Sequence, residues 1–134
     1  MKGKTDPMQP LIVTAAILRK DGRILITRRP EGKPHGGFWE FPGGKLEEHE
    51  SPEECLQREI VEELSLEIDI RGIFEVVHHR YDWGPVLILA YDCLPRGTAI
   101  RNLGVAEHRW VSLEELPGYP LLPADVPIVN KLTG

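Results

Sequence analysis

Gly44-Lys45-Leu46-Glu47-Glu48-His49-Glu50-Ser51-Pro52-Glu53-Glu54-Cys55-Leu56-Gln57-Arg58-Glu59-Ile60-Val61-Glu62-Glu63-Leu64-Ser65-Leu66 is the stretch that decides the reading of this chain. Its first half is a glycine turn and an acidic loop. Its second half is a helix with a marked start: Ser51 as N-cap, Pro52 at the first helical position, and Glu54 three residues after the cap. Leu56, Ile60 and Leu64 recur every four residues, an apolar stripe that must be buried. Glu59, Glu62 and Glu63 stand at i, i+3 and i+4, so they share one side of the helix beside that stripe. Like charges at this spacing repel by about a few tenths of a kcal/mol per pair, and Arg58 is the one basic residue among them. A solvated acidic face is the ordinary explanation. The alternative is a divalent cation held among the carboxylates, since Mg²⁺ prefers oxygen ligands. Pro42-Gly43-Gly44 just upstream permits close backbone approach, and one of its carbonyls can complete a metal site.

On either side of this stretch the chain reads as strands. Leu11 to Leu18 is a buried strand. Asp21-Gly22 is a turn, and Arg23 to Arg29 alternates with Ile24 and Ile26 on one face, making a hairpin. Phe38 to Phe41 is a short aromatic strand after a Pro- and Gly-rich loop. Leu66 to Arg80 and Pro85 to Leu94 read as two longer strands joined at Tyr81-Asp82-Trp83-Gly84, and His108 to Val111 as a short one. Ser112 to Leu116 reads as one helical turn and Ala124 to Leu132 as a closing helix. Strands and helices mix without a regular βαβ rhythm, so the expected class is α/β with a mixed sheet.

Composition bounds the rest. With 134 residues, 41% hydrophobic and 28% charged, one domain over residues 11–134 is expected, preceded by a mobile tail over residues 1–10. The longest apolar run, Val86 to Tyr91, is far below the roughly 20 residues that span a bilayer. Residues 1–10 hold no apolar signal region, and Cys55 and Cys93 have no metal-finger spacing, so a reducing, cytoplasmic setting is expected. A net charge of −5 argues against a nucleic-acid polymer as partner, and no membrane partner is expected. A small anionic ligand remains, with a metal to mediate it. A monomer or a homodimer is expected.

The stretch from Gly44 to Leu66 resembles the signature of the Nudix hydrolases, G-x5-E-x7-R-E-U-x-E-E-x-G-U with U bulky and apolar. Gly44, Glu50, Arg58, Glu59, Glu62, Glu63 and the apolar positions match; Ser65 stands where the family has glycine. A residue just past a helix usually turns left-handed there, which costs a serine roughly 1 kcal/mol. The resemblance implies a Nudix fold, a mixed β-sheet sandwiched between α-helices. It implies metal-dependent hydrolysis of a nucleoside diphosphate linked to another group. By position, Gly43 supplies a carbonyl ligand, Glu59 and Glu63 are carboxylate ligands, and Glu62 binds directly or through water. Glu50 is the candidate for a second metal, and Arg58 orients Glu59 by a charge-assisted hydrogen bond. The expected cofactor is Mg²⁺, with Mn²⁺ as a substitute. Such ions neutralise the diphosphate and lower the pKa of the attacking water.

Arg28-Arg29-Pro30, Phe38-Trp39-Glu40-Phe41-Pro42-Gly43-Gly44-Lys45 and Tyr119-Pro120-Leu121-Leu122-Pro123-Ala124-Asp125-Val126-Pro127 are similar to the MutT branch of that family. The branch implies pyrophosphohydrolysis of a nucleoside triphosphate to monophosphate and pyrophosphate, on oxidised or non-standard nucleotides such as 8-oxo-dGTP, in the service of DNA repair. The alternatives are other diphosphate substrates (CTP or methyl-dCTP, ADP-ribose, a dinucleotide polyphosphate) or a non-catalytic nucleotide-binding module. Asp125 admits two readings: an N-cap of the last helix, or a carboxyl facing the edge of the base. Arg29 and Lys45 are candidates for phosphate contacts. Phe38 and Trp39 either stack on the base or fill the core. His35 reads as a loop residue, and neither His78 nor His79 is assigned a role. Glu107 is either an exposed loop charge or the glutamate that completes the metal site or acts as base.

Overall fold

The computed structural model describes residues 9–134. The expectation of a mobile tail therefore falls, for residues 1–8, outside the described residues. Seven strands form a mixed sheet flanked by two helices. Strand β1 (Leu11–Lys20) is central. It runs parallel to β6 (Gly84–Pro95), with Leu11 to Leu18 opposite Val86 to Cys93. Strand β5 (Ile68–Tyr81) pairs antiparallel with β6 as a long hairpin. On the other side of β1, the chain splits. Strand β2 (Arg23–Arg28) leaves β1 after the turn at Asp21-Gly22 and pairs with β7 (Glu107–Ser112) and β3 (Trp39–Glu40). Strand β4 (Gly43–Lys45) takes the vacated edge, with Ala15 opposite Gly43 and Val13 opposite Lys45.

Apolar alternation explains the two-sided core. Ala15 and Ile17 of β1, with Ile24 and Ile26 of β2, pack on one face with Ile128 and Val129. Ala16, Leu18 and Leu25 pack on the other with Leu56, Ile60 and Leu64. Helix α1 (Pro52–Leu64) thus covers one face by its stripe, and α2 (Val126–Thr133) the other. The start of α1 is a complete capping box: Ser51 Oγ accepts from the Glu54 N–H, and Glu54 accepts from the Ser51 N–H. Its end is Ser65, left-handed at φ 54° and ψ 36°.

Some sequence boundaries shift. Strand β3 is two residues rather than four, because its backbone is shared with a second partner. The Trp39 N–H donates to the Pro120 carbonyl and the Leu122 N–H to the Trp39 carbonyl. That pairing brings the Pro120-to-Asp125 segment beside Glu40. The helical turn expected at Ser112 to Leu116 is a reciprocal Ser112–Glu115 turn followed by a 3-10 turn at Leu116–Gly118, cut short by Pro117 and Gly118. The closing helix begins two residues late, after a 3-10 turn at Pro123–Asp125. Among the described residues, no helix is long and apolar enough to cross a membrane.

Candidate active site

A cavity of about 650 Å³ opens where β4 leaves β1. Its wall is built from β1, β4, α1, the β5–β6 turn and the segment Leu122 to Asp125. At one end stand Glu59 and Glu63, one helical turn apart on α1, beside Gly43 and Gly44. The glycines are needed for this approach. A Cβ at Gly44 would run into the Glu59 carboxylate, and one at Gly43, whose φ is 157°, would run into the Thr14 carbonyl oxygen.

The electrostatics of this end call for positive charge. Burial pushes the Glu63 carboxyl up to about 8, helped by the charges of Glu59 and Glu40 and opposed by the Gly43 backbone N–H. Burial also raises Glu59, against the pull of Arg58. Two half-sunken carboxylates beside a backbone turn are the oxygen set that a hard divalent cation takes, and such a cation would relieve their repulsion. These residues therefore fit the implied metal.

Arg58 lies on the outer side of the same helix turn. Its Nε and Nη2 fork onto Glu50 at 3.0 and 2.7 Å, and its Nη1 reaches Glu59 at 3.1 Å and Glu62 at 3.2 Å. The guanidinium, helped by the Glu47 backbone N–H, holds the Glu50 carboxyl down at about 2. Glu50, the candidate for a second metal, and Glu62, the candidate ligand direct or through water, are placed differently from Glu59 and Glu63. Both carboxylates are drawn to Arg58, neither lines the cavity, and the Glu62 side chain is 59% exposed. Among the described residues, no three His, Cys, Asp or Glu side chains gather as a ready-made metal cluster.

Glu107 also differs from its expected place. At the start of β7 it stands opposite Arg28 in the sheet, and its carboxylate bonds Arg28 at 3.1 Å and Arg109 at 2.8 Å. Those bonds, Arg109 first, lower its pKa and leave it outside the cavity wall. Phe38 is 40% exposed and does not line the cavity; Trp39 is buried in the core under the Arg109 guanidinium.

Lys45 and Arg29 do line the cavity. Arg29 is engaged: its Nη1 lies 3.2 Å from both oxygens of Glu40, and its Nε donates to the Pro34 carbonyl at 2.8 Å. Glu40 has no role in the sequence reading, yet it lines the cavity midway along, raised by burial despite Arg29. A lone charge between the apolar Trp39 and Phe41 was the signal available for it. His35, read as a loop residue, also lines the wall and tilts against Tyr81.

Asp125 closes the far end. It is 5% exposed, makes no side-chain cap bond to α2, and lines the cavity. The cap reading is thereby corrected: the residue holds the N-cap position with helical backbone angles, φ -89° and ψ -11°, rather than the extended ones of a capping residue. Burial, then the charge of Glu40, pushes that carboxyl up to about 8, with the Phe41 N–H opposing.

Known proteins resemble this chain over nearly its whole length. A NUDIX domain matches residues 13–131. The CTP pyrophosphohydrolase of Escherichia coli K12 is 39% identical over 128 residues, covering 92% of this chain and 91% of its own. The 8-oxo-dGTP diphosphatase of the same organism is 28% identical over 131 residues, covering 93% and 98%. The crystal structure of a MutT protein from Methanosarcina mazei Go1 superposes with a TM-score of 0.84 at 26% identity, covering 94% of this chain and 95% of that one. With the domain match spanning nearly the whole chain and the glycine turn, the acidic helix and the mixed sheet all in place, this chain belongs to the NUDIX domain family.

Proposed function

We propose that this chain is a Mg²⁺-dependent nucleoside triphosphate pyrophosphohydrolase of the MutT type, releasing nucleoside monophosphate and pyrophosphate. The observation that carries the reading is one cavity lined both by the half-buried Glu59–Glu63 pair and by the buried Asp125. A triphosphate needs a cation site for its phosphates, and base selection needs a buried polar group on the wall.

Glu59, Glu63 and the Gly43 carbonyl would hold the metal, Mg²⁺ with Mn²⁺ as substitute. When bound, it neutralises the phosphates and lowers the pKa of the attacking water. Arg58 fixes the rotamer of Glu59. Lys45 meets phosphate oxygens from the β4 edge, and Arg29 keeps Glu40 neutralised on the wall between phosphates and base. Water adds to the β-phosphorus, the bond to the oxygen bridging to the α-phosphorus breaks, and the water's proton passes to a glutamate of α1. Glu107, tied to two arginines, leaves that role to Glu59 or Glu63. Asp125 receives the edge of the base.

The preferred nucleotide is an oxidised or non-standard purine triphosphate such as 8-oxo-dGTP. The 39% identity to a CTP pyrophosphohydrolase supports cytidine triphosphates as the second reading. A panel of nucleotides with Mg²⁺, read as pyrophosphate against phosphate, tests this. Pyrophosphate is expected; phosphate as the sole product rejects the assignment.

A further inference from the structure

The β5–β6 turn carries a residue that neither the fold nor the chemistry above explains. Tight turns favour Gly, Asn, Asp and Pro, yet Trp83 occupies this one and is 54% exposed. It contributes nothing to either core cluster. It lines the cavity mouth and stacks on Tyr81, with ring centroids 5.6 Å apart and planes within 12°. Tyr81 is itself packed by two further rings. His79 meets it edge-on at 4.6 Å and His35 leans on it at 5.6 Å. Tyr81 and Trp83 line the same cavity as Ala124 and Asp125. Tyr81 covers one face of the Trp83 indole. With 54% of the residue exposed on the cavity wall, indole surface remains for a ligand.

We propose that Trp83, braced by Tyr81, is the platform on which the nucleobase stacks, so that affinity for the base comes from the turn and choice among bases from Asp125. The inference rests on the nucleotide reading above and adds to it. Every base has a π-face, so stacking tolerates base identity. A purine, with more ring area, gains more than a pyrimidine.

The test uses the wild-type chain and two variants. The chain has three tryptophans, of which Trp39 is buried, and Trp110 packs against the α1-side core away from the cavity. Tryptophan emission is titrated with GMP, CMP and ribose 5-phosphate. Quenching is expected with GMP, less with CMP, and none with ribose 5-phosphate; in Trp83→Phe the base-dependent quench disappears. Steady-state kinetics follow with Trp83→Ala. KM is expected to rise about 10-fold for purine nucleotides and less for pyrimidine ones, with the loss on KM rather than kcat, and Trp83→Phe restores most of the affinity. A quench that persists in Trp83→Phe, or an unchanged KM in Trp83→Ala, overturns the platform. Base-dependent quenching without any hydrolysis would reject the pyrophosphohydrolase reading and leave the platform standing. Hydrolysis with an unchanged KM in Trp83→Ala would do the reverse.

Discussion

Arg58 and Glu59, adjacent in sequence, are joined by a 3.1 Å bond from Nη1 to Oε2, while the rest of the same guanidinium is forked on Glu50 at 2.7 and 3.0 Å. The bidentate grip on Glu50 anchors the arginine, and the anchored arginine fixes Glu59. Arg58→Gln should therefore lower kcat by about 10- to 100-fold and raise the Mg²⁺ concentration needed for half-maximal rate. Arg58→Lys should recover little, since an ammonium cannot reproduce the fork. Equal Mg²⁺ requirements in wild type and variant would show that Arg58 does not act through Glu59.

Glu63→Gln keeps size and removes charge from the end of the cavity. A loss of at least about 10²-fold in kcat is expected from missing electrostatic stabilisation. At a pH above about 8 and without metal, the same change relieves a charged, half-buried carboxylate, so the variant should melt at a higher temperature in EDTA. Adding Mg²⁺ should raise the melting temperature of wild type more than that of the variant. Near-normal turnover would dismiss Glu63 as a ligand.

Gly44→Ala probes the approach of backbone to carboxylate. The added methyl would overlap the Glu59 carboxylate, the far end of a side chain rather than backbone, so the carboxylate is displaced and the fold can yield. Cooperative melting should persist while kcat falls by on the order of 10²-fold, the effect of displacing a reacting group by about 1 Å. A collapse of the melt with no folded fraction would instead place the role of Gly44 in the core.

Asp125 gives a pH prediction with a definite sign. Its carboxyl titrates near 3.8 when unfolded and about 8 when folded. Between those values the folded chain keeps a proton that the unfolded chain has lost, so stability falls as pH rises through that window. Asp125→Asn should remove this component: melts at pH 5 and pH 8 should differ less in the variant than in wild type. At pH 7 the neutral carboxyl, like asparagine, both donates and accepts. Asp125→Asn should then preserve base discrimination better than Asp125→Ala, which should lose about 2–3 kcal/mol in kcat/KM for the preferred nucleotide. Discrimination unchanged in Asp125→Ala, measured over 8-oxo-dGTP, dGTP, dCTP and CTP, would reject base reading.

Ser65→Gly should be neutral to stabilising by up to about 1 kcal/mol, because glycine adopts φ 54° without a Cβ penalty but loses more chain entropy on folding. Thermal melts check it. A clear fall in melting temperature would reveal a contact of the serine side chain.

Helix α1 was legible in full from its own residues, because capping, apolar period and the left-handed end at Ser65 are local properties. The glycine turn was legible too, since spacing along one helix and its preceding loop fixes which groups lie near each other. The mixed sheet followed from alternation. Which carboxylates enter the cavity was not local. Glu50 and Glu62 stood as further candidates beside Glu59 and Glu63 until the fold set both against Arg58, and Glu107 stood open between a loop charge and a site residue until its sheet register set it opposite Arg28. Glu40 and Trp83 gained their positions only when β3 paired with Pro120 to Leu122 and the long hairpin folded its turn back over the cavity. Period and spacing determine what a segment is; long-range pairing determines what faces it, and in this chain the pairings that build the far end of the cavity join residues many positions apart.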